Sequence, residues 1–308
     1  MNRKNDFESF YDAKLKPTLS YLKLQSSEAS GWRIAGLLFL MFAIMCLLLS
    51  QIIVGILLLC FVMISVYKYR KKKKLFIKNF KETAIREIIK YLEPGLIYKP
   101  NENISPVDYE KSGLYRRIYD YYEGGDLISG NYNNLKFYCS ELETSYDKSP
   151  GGNTITTIFK GLFFAIPLKI YLPGVIYVWP KGEEQLTINF MDEYYRLFPL
   201  PEVYPVDLND KVFENNFSVY SSNPVDISFS SFVDQELKEC LINLKEQVGK
   251  EIRFSIMRGI CYLSISINKE FLKPSLSNSE NIEIVKEYYS TVQLILNVID
   301  QLNLKRFT

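Results

Sequence analysis

One stretch of thirty-three residues, from Ile34 to Val66, carries no charged side chain. A run of this length exceeds what the core of a soluble domain needs, and it predicts insertion into a membrane. A single straight helix over the run would measure roughly 50 Å, whereas the hydrocarbon layer of a bilayer is about 30 Å thick. The segment must therefore tilt strongly, overhang the bilayer or fold back on itself.

The polar pair Ser50–Gln51 lies at the centre of this run and is typical of a turn. It divides the run into two apolar arms of about sixteen residues, each slightly short for a full span. Both flanks are basic, and a hairpin keeps both on the cytoplasmic side, where positive charge near membrane helices accumulates. We predict a transmembrane helical hairpin with both termini and the large C-terminal part in the cytoplasm. One long tilted helix is the alternative.

Basic and aromatic side chains stand at the two ends of the run. Three aromatic residues are predicted interface anchors, namely Trp32, Tyr67 and Tyr69. Six basic residues are predicted to contact the membrane surface, namely Lys68, Arg70, Lys71, Lys72, Lys73 and Lys74. Residues 1–74 carry a net charge of +8 and residues 75–308 one of −6. A basic collar beside an acidic body favours anionic membrane lipids as partners and disfavours nucleic acid.

The chain divides into four predicted parts. Residues 1–30 form a cytosolic amphipathic helical segment, either one helix or a pair broken at Pro17, and residues 31–69 form the transmembrane hairpin. Residues 70–95 continue as a basic collar and helical stalk that ends at Pro94–Gly95. Residues 96–308 are predicted to be one cytosolic α+β domain.

Alternating apolar residues in this last part predict short strands joined by tight turns. The predicted strands are Leu127–Tyr132, Leu135–Thr144, Ile155–Ile166, Gly174–Trp179, Val206–Asn209, Phe217–Tyr220, Glu251–Met257 and Ile260–Ile267. One helix is predicted to begin at Ser231, with Asp234 as the capping partner of that serine. A second helix is predicted from about Asn281 to Asn303, with Ser277 and Glu280 as its caps. This order predicts a mainly antiparallel sheet with flanking helices.

The chain contains no histidine, which excludes Ser-His-Asp triads, Cys-His dyads and histidine-bound metals. No nucleotide-binding glycine motif and no Cys-x-x-Cys pair occurs, so the five cysteines are predicted to be reduced thiols, and we expect no metal or cofactor. Asp126, Glu141 and Glu143 are the candidates for catalysis. Glu141 and Glu143 share one strand face, where paired carboxylates can hold a divalent ion or act as acid and base. A solvated strand face is the alternative.

Several segments resemble a bacterial membrane-protein family of unknown function, the domain of unknown function 3137. The resemblance is carried by the N-terminal segment FxxFYDAKLKPTLSYL, the membrane hairpin with its basic exit, GGDLISGNY, YCSELE, IFKGLFFAI and VDLNDKVFENNFSVYSSN. It implies an inner-membrane location and gene neighbours of the LemA family, but no activity. The resemblance implies an acidic residue in the middle of Gly124–Asp126, but this chain has Gly125 there. This departure weakens the case for chemistry at that position.

Three functions fit these observations. The first is a membrane-anchored interaction or sensing module, without catalysis, that binds an envelope protein or a lipid headgroup. The second is a membrane effector of a defence or stress system, in which Gly36 and Gly55 allow helices to approach closely. The third is a carboxylate-dependent hydrolase. Partners under the first two are membrane lipids and either another membrane protein or a second copy.

Tyrosines 119, 121, 122, 194 and 195 lie in loop-like stretches and either form a contact surface or fold back onto the domain.

Overall fold

The computed structural model describes residues 3–148, 154–169, 174–182, 200–223, 232–267, 271–277, 281–302 and 304. The fold is α+β, as predicted. It has two long apolar N-terminal helices, an antiparallel sheet and flanking helices. Two compact units are present, a helical unit of residues 1–92 and 272–292 and a sheet unit of residues 93–271 and 293–308. The finer division at residues 30, 69 and 95 stays a prediction.

Two long helices joined by a tight turn dominate the helical unit. Its elements are α1 (Arg3–Phe10), a π-helical turn (Tyr11–Leu15), α2 (Lys16–Leu48), α3 (Ile52–Phe80), a second π-helical turn (Lys81–Ile85) and α4 (Arg86–Leu92). The predicted turn at Ser50–Gln51 is confirmed, because α2 ends at Leu48 and α3 begins at Ile52. Both helices are long and apolar enough to cross a membrane.

Of the two alternatives for the N-terminal segment, the pair of helices broken at Pro17 is wrong, because the chain is helical from Arg3 to Leu48. Pro17 lies in the first turn of α2, directly after the π-helical turn Tyr11–Leu15. A proline inside a regular helix removes one hydrogen bond and collides with the preceding turn. A π-helical turn widens the backbone there, so the chain stays helical through the proline.

Aromatic side chains form the core of the helical unit away from the apolar arms. The ring of Phe10 stacks on Tyr91 at 3.9 Å, and Phe7 lies 4.8 Å from Tyr289. Phe80 meets the edge of Tyr288 at 5.7 Å. The N-terminal segment therefore packs on α4, which lies within the predicted stalk of residues 70–95.

All strand pairs in the sheet unit are antiparallel. The described strands are β1 (Leu96–Lys99), β2 (Tyr121–Tyr132), β3 (Leu135–Asp147), β4 (Ile155–Pro167), β5 (Val175–Pro180), β6 (Tyr204–Val206), β7 (Phe217–Ser221), β8 (Ile252–Met257) and β9 (Ile260–Ser266). They form one nine-stranded sheet in the order β1-β2-β3-β4-β9-β8-β5-β7-β6. The hairpin β8–β9 therefore inserts between β4 and β5.

Two predicted tight turns are confirmed. Tyr132 pairs with Leu135, so Asn133 and Asn134 alone connect β2 to β3, and both have positive φ. Arg258 and Gly259 connect β8 to β9 in the same way. Two consecutive residues with positive φ match the right-handed twist of the paired strands, which is why Asn and Gly occur there.

Four helices lie beside the sheet strands in the part of the chain that the structure describes, and the N-terminal caps of two of them differ from those predicted. They are α5 (Pro106–Ser112), α6 (Lys211–Glu214), α7 (Gln235–Val248) and α8 (Ile282–Leu302), which contributes to both units. The carboxylate of Asp234 itself accepts the Leu237 amide and caps α7, while Ser231 lies outside the described residues. Asn281 caps α8 by accepting the Glu283 amide. Glu280 lies outside the described residues.

Two strand boundaries also differ. The strand predicted at Val206–Asn209 is Tyr204–Val206, because the Asp207 carboxylate accepts the Asn209 amide and starts a turn. The strand predicted from Leu127 begins at Tyr121. It contains a β-bulge between Gly125 and Ile128, which hides the alternating pattern of the sequence.

One face of the sheet buries a cluster of aromatic residues under α5 and the segment that follows it. Its fully or nearly buried members include Tyr109, Tyr115, Phe159, Phe163, Tyr177, Trp179 and Tyr262. The guanidinium of Arg253 lies 4.4 Å from the Tyr115 ring and donates to the Leu114 carbonyl. These contacts hold the α5 segment on the sheet.

Candidate functional site

The two apolar helices pack along a seam of small side chains. On α2 the buried residues beyond Leu22 are Ser26, Ala29, Gly36 and Ala43. On α3 the buried residues within the apolar arm and just beyond it are Gly55 and Ser65. Spacings of three, four and seven are those of a coiled-coil seam, and small residues let the two backbones approach closely.

Several contacts fix the register of this hairpin. A Cβ atom placed on Gly36 would lie 3.3 Å from Ser65, and the Phe39 and Phe61 rings stack at 5.5 Å. Lys72 pairs with Glu28 at 2.6 Å. In this register a residue of α2 lies beside a residue of α3 when their two residue numbers add up to about 100.

This register brings the predicted interface residues to one level. Trp32 lies one helical turn before Gly36, and Tyr69 lies one turn after Ser65, so both belong to the same end of the apolar arms. Tyr67 stands beside them and is largely exposed. We call this group, together with the basic residues from Lys68 to Lys74, the collar.

The six predicted basic residues of the collar fall into two groups. Lys72 is bound to Glu28, and the Lys73 amine lies 6.0 Å from the centre of the Tyr69 ring, so both are engaged within the hairpin. The other four are exposed, namely Lys68, Arg70, Lys71 and Lys74. Sequence reasoning missed Glu28, because only the register of the hairpin places it opposite Lys72.

The hairpin turns its large apolar side chains outward along both arms. Between Ile34 and Val66 most leucines, isoleucines and methionines are largely exposed, while glycine, alanine and serine fill the seam. A soluble domain reverses this arrangement, since large apolar side chains dominate its interior. Contiguous exposed apolar surface of this extent marks a membrane or interaction surface.

Asp126, the first catalytic candidate, is buried in the β-bulge of β2 with positive φ. The Tyr98 hydroxyl of β1 donates to its Oδ1 atom at 2.5 Å. The amide of Asp126 donates to the Pro100 carbonyl at 3.1 Å. These bonds connect β1 and the residue after it to β2 at the edge of the sheet.

Glu141 and Glu143 of β3 contact different groups. Oε2 of Glu143 accepts the Lys160 amine of β4 at 2.6 Å. Oε1 of Glu141 accepts the Phe271 amide at 3.3 Å. Among the described residues no cluster of three or more Cys, Asp or Glu side chains could hold a metal ion. Asp126, Glu143 and Glu141 thus contact Tyr98, Lys160 and Phe271 respectively.

Of the three tyrosines in this set that the structure describes, two fold back onto the domain and one is exposed. Tyr119 and Tyr122 pack against the aromatic core, and the Tyr122 hydroxyl donates to the Ile104 carbonyl at 2.6 Å. Tyr121 is exposed on β2. Tyr194 and Tyr195 lie outside the described residues.

The three cysteines of the sheet unit are buried and unpaired, as predicted. Burial raises the pKa of the Cys139 and Cys261 thiols well above the usual value, and that of Cys240 to about 12. A thiol with a raised pKa carries little thiolate at neutral pH and is a poor nucleophile.

A cleft of about 750 Å³ opens at one end of the sheet, where β4 extends past the end of β9. Its lining combines the apolar residues Phe159, Phe217 and Ile252 with charged residues of both signs, namely Lys160, Lys245, Lys250, Glu246 and Glu251. Lys245 donates to the carbonyl and side-chain oxygens of Asn216 at 3.2 and 3.1 Å. Such a lining offers apolar surface beside both cationic and anionic groups. Sequence reasoning missed it because its residues come from separate elements.

Comparison with known proteins finds one family and one solved structure. The crystal structure of the mycobacterial trehalose monomycolate transport factor A, TtfA, aligns with a TM-score of 0.35 and 11% identity, over 71% of this chain and 94% of that chain. No curated protein matches the sequence. Residues 157–304 match the model of a family described as a protein of unknown function, DUF3137. This part of the chain is therefore similar to the domain of unknown function 3137, which confirms the predicted resemblance.

Proposed function

We propose that the chain is a membrane-anchored interaction module. Its hairpin inserts into a cell membrane, its collar contacts anionic lipid headgroups, and its sheet unit binds an envelope component without catalysing a reaction. One observation carries this proposal: the hairpin exposes its large apolar side chains and buries its small ones. That surface is stable in hydrocarbon and unfavourable in water.

The collar gives the anchor its orientation. Four exposed cations stand at the same level as Trp32 and Tyr69, as expected where a helix leaves the hydrocarbon layer. Each cation near an anionic surface contributes about 1 kcal/mol. Accumulation of positive charge on the cytoplasmic side predicts that both termini and the sheet unit are cytoplasmic.

The anchor is tested by reconstituting the full chain in vesicles of phosphatidylcholine with or without phosphatidylglycerol. We expect the protein to float with both kinds of vesicle after an alkaline carbonate wash, since the hairpin holds it. Loss of the protein in the wash would refute insertion. Quenching of Trp32 fluorescence by spin-labelled phosphatidylglycerol, compared with labelled phosphatidylcholine, then measures the lipid preference of the collar.

A matched pair of variants separates exposed charge from paired charge. Arg70→Gln with Lys71→Gln removes two exposed cations, and we expect the preference for phosphatidylglycerol to fall. Glu28→Gln with Lys72→Gln removes an ion pair of zero net charge at the same level of the hairpin. This double variant should leave the preference for phosphatidylglycerol unchanged. Equal effects of the two double variants would refute the role of the exposed cations.

Within the sheet unit we assign the binding of the envelope component to the cleft beside Lys245 and Lys250. A photo-crosslinking amino acid at Lys250 in the full chain, in intact cells, tests this assignment against one at Ile97, which is exposed on β1. A product formed only from Lys250 supports the cleft, and its mass separates a lipid from a protein. The same products from both positions would refute it.

The hydrolase hypothesis has its own test. The partners of Glu141 and Glu143 support a structural role, so Glu141→Gln and Glu143→Gln should leave the cellular function of a folded protein intact. Loss of function in a variant that still folds and floats would restore the enzymatic hypothesis.

A further inference from the structure

The two ends of the hairpin differ in chemistry. The collar end has a tryptophan, two tyrosines and a run of cations, whereas between Ile34 and Val66 there is no charge, no tryptophan and no tyrosine. Helices that reach water on the far side of a membrane end in aromatic or charged residues at that interface. The turn offers only Ser50 and Gln51 as polar side chains.

Large apolar side chains surround the turn. Leu48, Leu49, Ile52 and Ile53 are 81%, 66%, 61% and 77% exposed. They occupy the last position of α2, the residue that follows it and the first two positions of α3, where a loop in water would carry polar residues. The tip thus presents a ring of aliphatic groups to its surroundings, and an apolar environment is the one that stabilises them.

The backbone of the turn satisfies much of its own hydrogen-bonding capacity. The amides of Leu49, Ser50 and Gln51 donate to the carbonyls of Met45, Leu47 and Cys46 at 3.1, 3.1 and 2.8 Å. Ser50 adopts positive φ to close this turn. Internal bonding of this kind lowers the penalty for placing a turn away from water.

The arms are too short to reach the far surface. Sixteen residues from Ile34 to Leu49 rise about 24 Å, against a hydrocarbon thickness of about 30 Å. With the collar at the near interface, the tip therefore ends roughly 6 Å before the far one. Any tilt of the hairpin shortens its reach further.

We infer that the hairpin enters and leaves the membrane by the same face, and that its tip ends among the acyl chains of the far leaflet without reaching water. This inference rests on the proposed membrane anchor. It assigns Leu48, Leu49, Ile52 and Ile53 as contacts of the far leaflet. The module then presents no surface on the far side, and its partners must lie in the membrane or on the side of the collar.

Spin labels at three positions of the full chain test the depth of the tip. Ser50→Cys reports the tip, Leu57→Cys the middle of an arm and Val212→Cys an exposed site on α6. Cys46 and Cys60 are first replaced by alanine, and flotation confirms that the background protein inserts. Power-saturation measurements in dioleoyl lipid vesicles then compare collisions with oxygen, which enters the bilayer, and with a water-soluble nickel chelate.

We expect the labels at positions 50 and 57 to collide with oxygen and to be protected from nickel, and the label at 212 to be open to nickel. In thinner vesicles of dimyristoleoyl lipid, position 50 should become several-fold more accessible to nickel. Nickel access at 50 equal to that at 212 in dioleoyl vesicles, with 57 still protected, would overturn the inference and leave the anchor intact. Nickel access at 57 would overturn the anchor itself.

Discussion

Gly113 ends α5 and offers a sharp test of how that helix packs on the sheet. It adopts the left-handed conformation, with φ of 63°, and its amide donates to the Glu110 carbonyl. A Cβ atom there would lie 2.2 Å from the Tyr177 hydroxyl oxygen and 2.8 Å from two of its ring carbons. Tyr177 is fully buried in the aromatic cluster, so its ring has little room to move.

The cost of Gly113→Ala has two parts. An alanine in the left-handed region costs about 1–2 kcal/mol, and overpacking of a dense core adds about 1–3 kcal/mol. The expected loss in the free energy of unfolding is therefore about 2–5 kcal/mol, a large share of the roughly 5–15 kcal/mol of a typical domain.

Gly249 supplies the matched control. It ends α7 with φ of 62°, and an added Cβ would meet nothing within 4 Å. Gly249→Ala should therefore lose only the conformational part, about 1–2 kcal/mol. The difference between the two variants isolates the collision with Tyr177.

The assay is urea unfolding of the full chain in detergent, followed by tryptophan fluorescence. The chain has two tryptophans, and in a Trp32→Phe background the buried Trp179 reports the sheet unit alone. A midpoint for Gly113→Ala no lower than that for Gly249→Ala would refute the packing of α5 described above.

Three further predictions use the same background. Tyr98→Phe should lower the free energy of unfolding by about 1.5–3 kcal/mol, because the buried Asp126 carboxylate loses a hydroxyl donor, and an unchanged urea midpoint would contradict this. Burial raises the pKa of Tyr115 to about 12, so the folded state retains a proton that the unfolded chain loses near pH 10. The free energy of unfolding therefore keeps the full contribution of Tyr115 below pH 10 and loses it as the pH rises toward 12. Tyr115→Phe should make the urea midpoint less sensitive to pH between these two values. Finally, Cys139, Cys240 and Cys261 should resist a maleimide in the folded protein and react in urea, as mass spectrometry of tryptic peptides can show, and labelling of Cys139 without denaturant would contradict the fold.

Local patterns explain most of what could be predicted. The uncharged run and its central Ser50–Gln51 predicted the hairpin, because the composition of a membrane segment is set by the lipid around it. Alternating apolar residues predicted the positions of most strands, and the Asn-Asn and Arg-Gly pairs predicted two of the turns. Each of these signals lies within a few residues of sequence.

The errors lie where distant contacts or local backbone changes override those patterns. The π-helical turn before Pro17 and the bulge at Asp126 each alter the backbone over a few residues, and period-based reasoning does not detect them. The partners of two catalytic candidates, Lys160 for Glu143 and Tyr98 for Asp126, also could not be predicted from the sequence. Both partners are remote in sequence.

By itself, therefore, the sequence determined that the chain has an apolar hairpin, a basic exit and a separate α+β part, since a long uncharged run and strand alternation are direct features of composition and period. Only the tertiary structure decided that the hairpin β8–β9 inserts between β4 and β5, that Glu28 neutralises Lys72, and that Trp32 and Tyr69 share one level. These facts depend on the register between segments that are far apart along the chain. Register is set by the packing of both partners together, and neither segment specifies it alone.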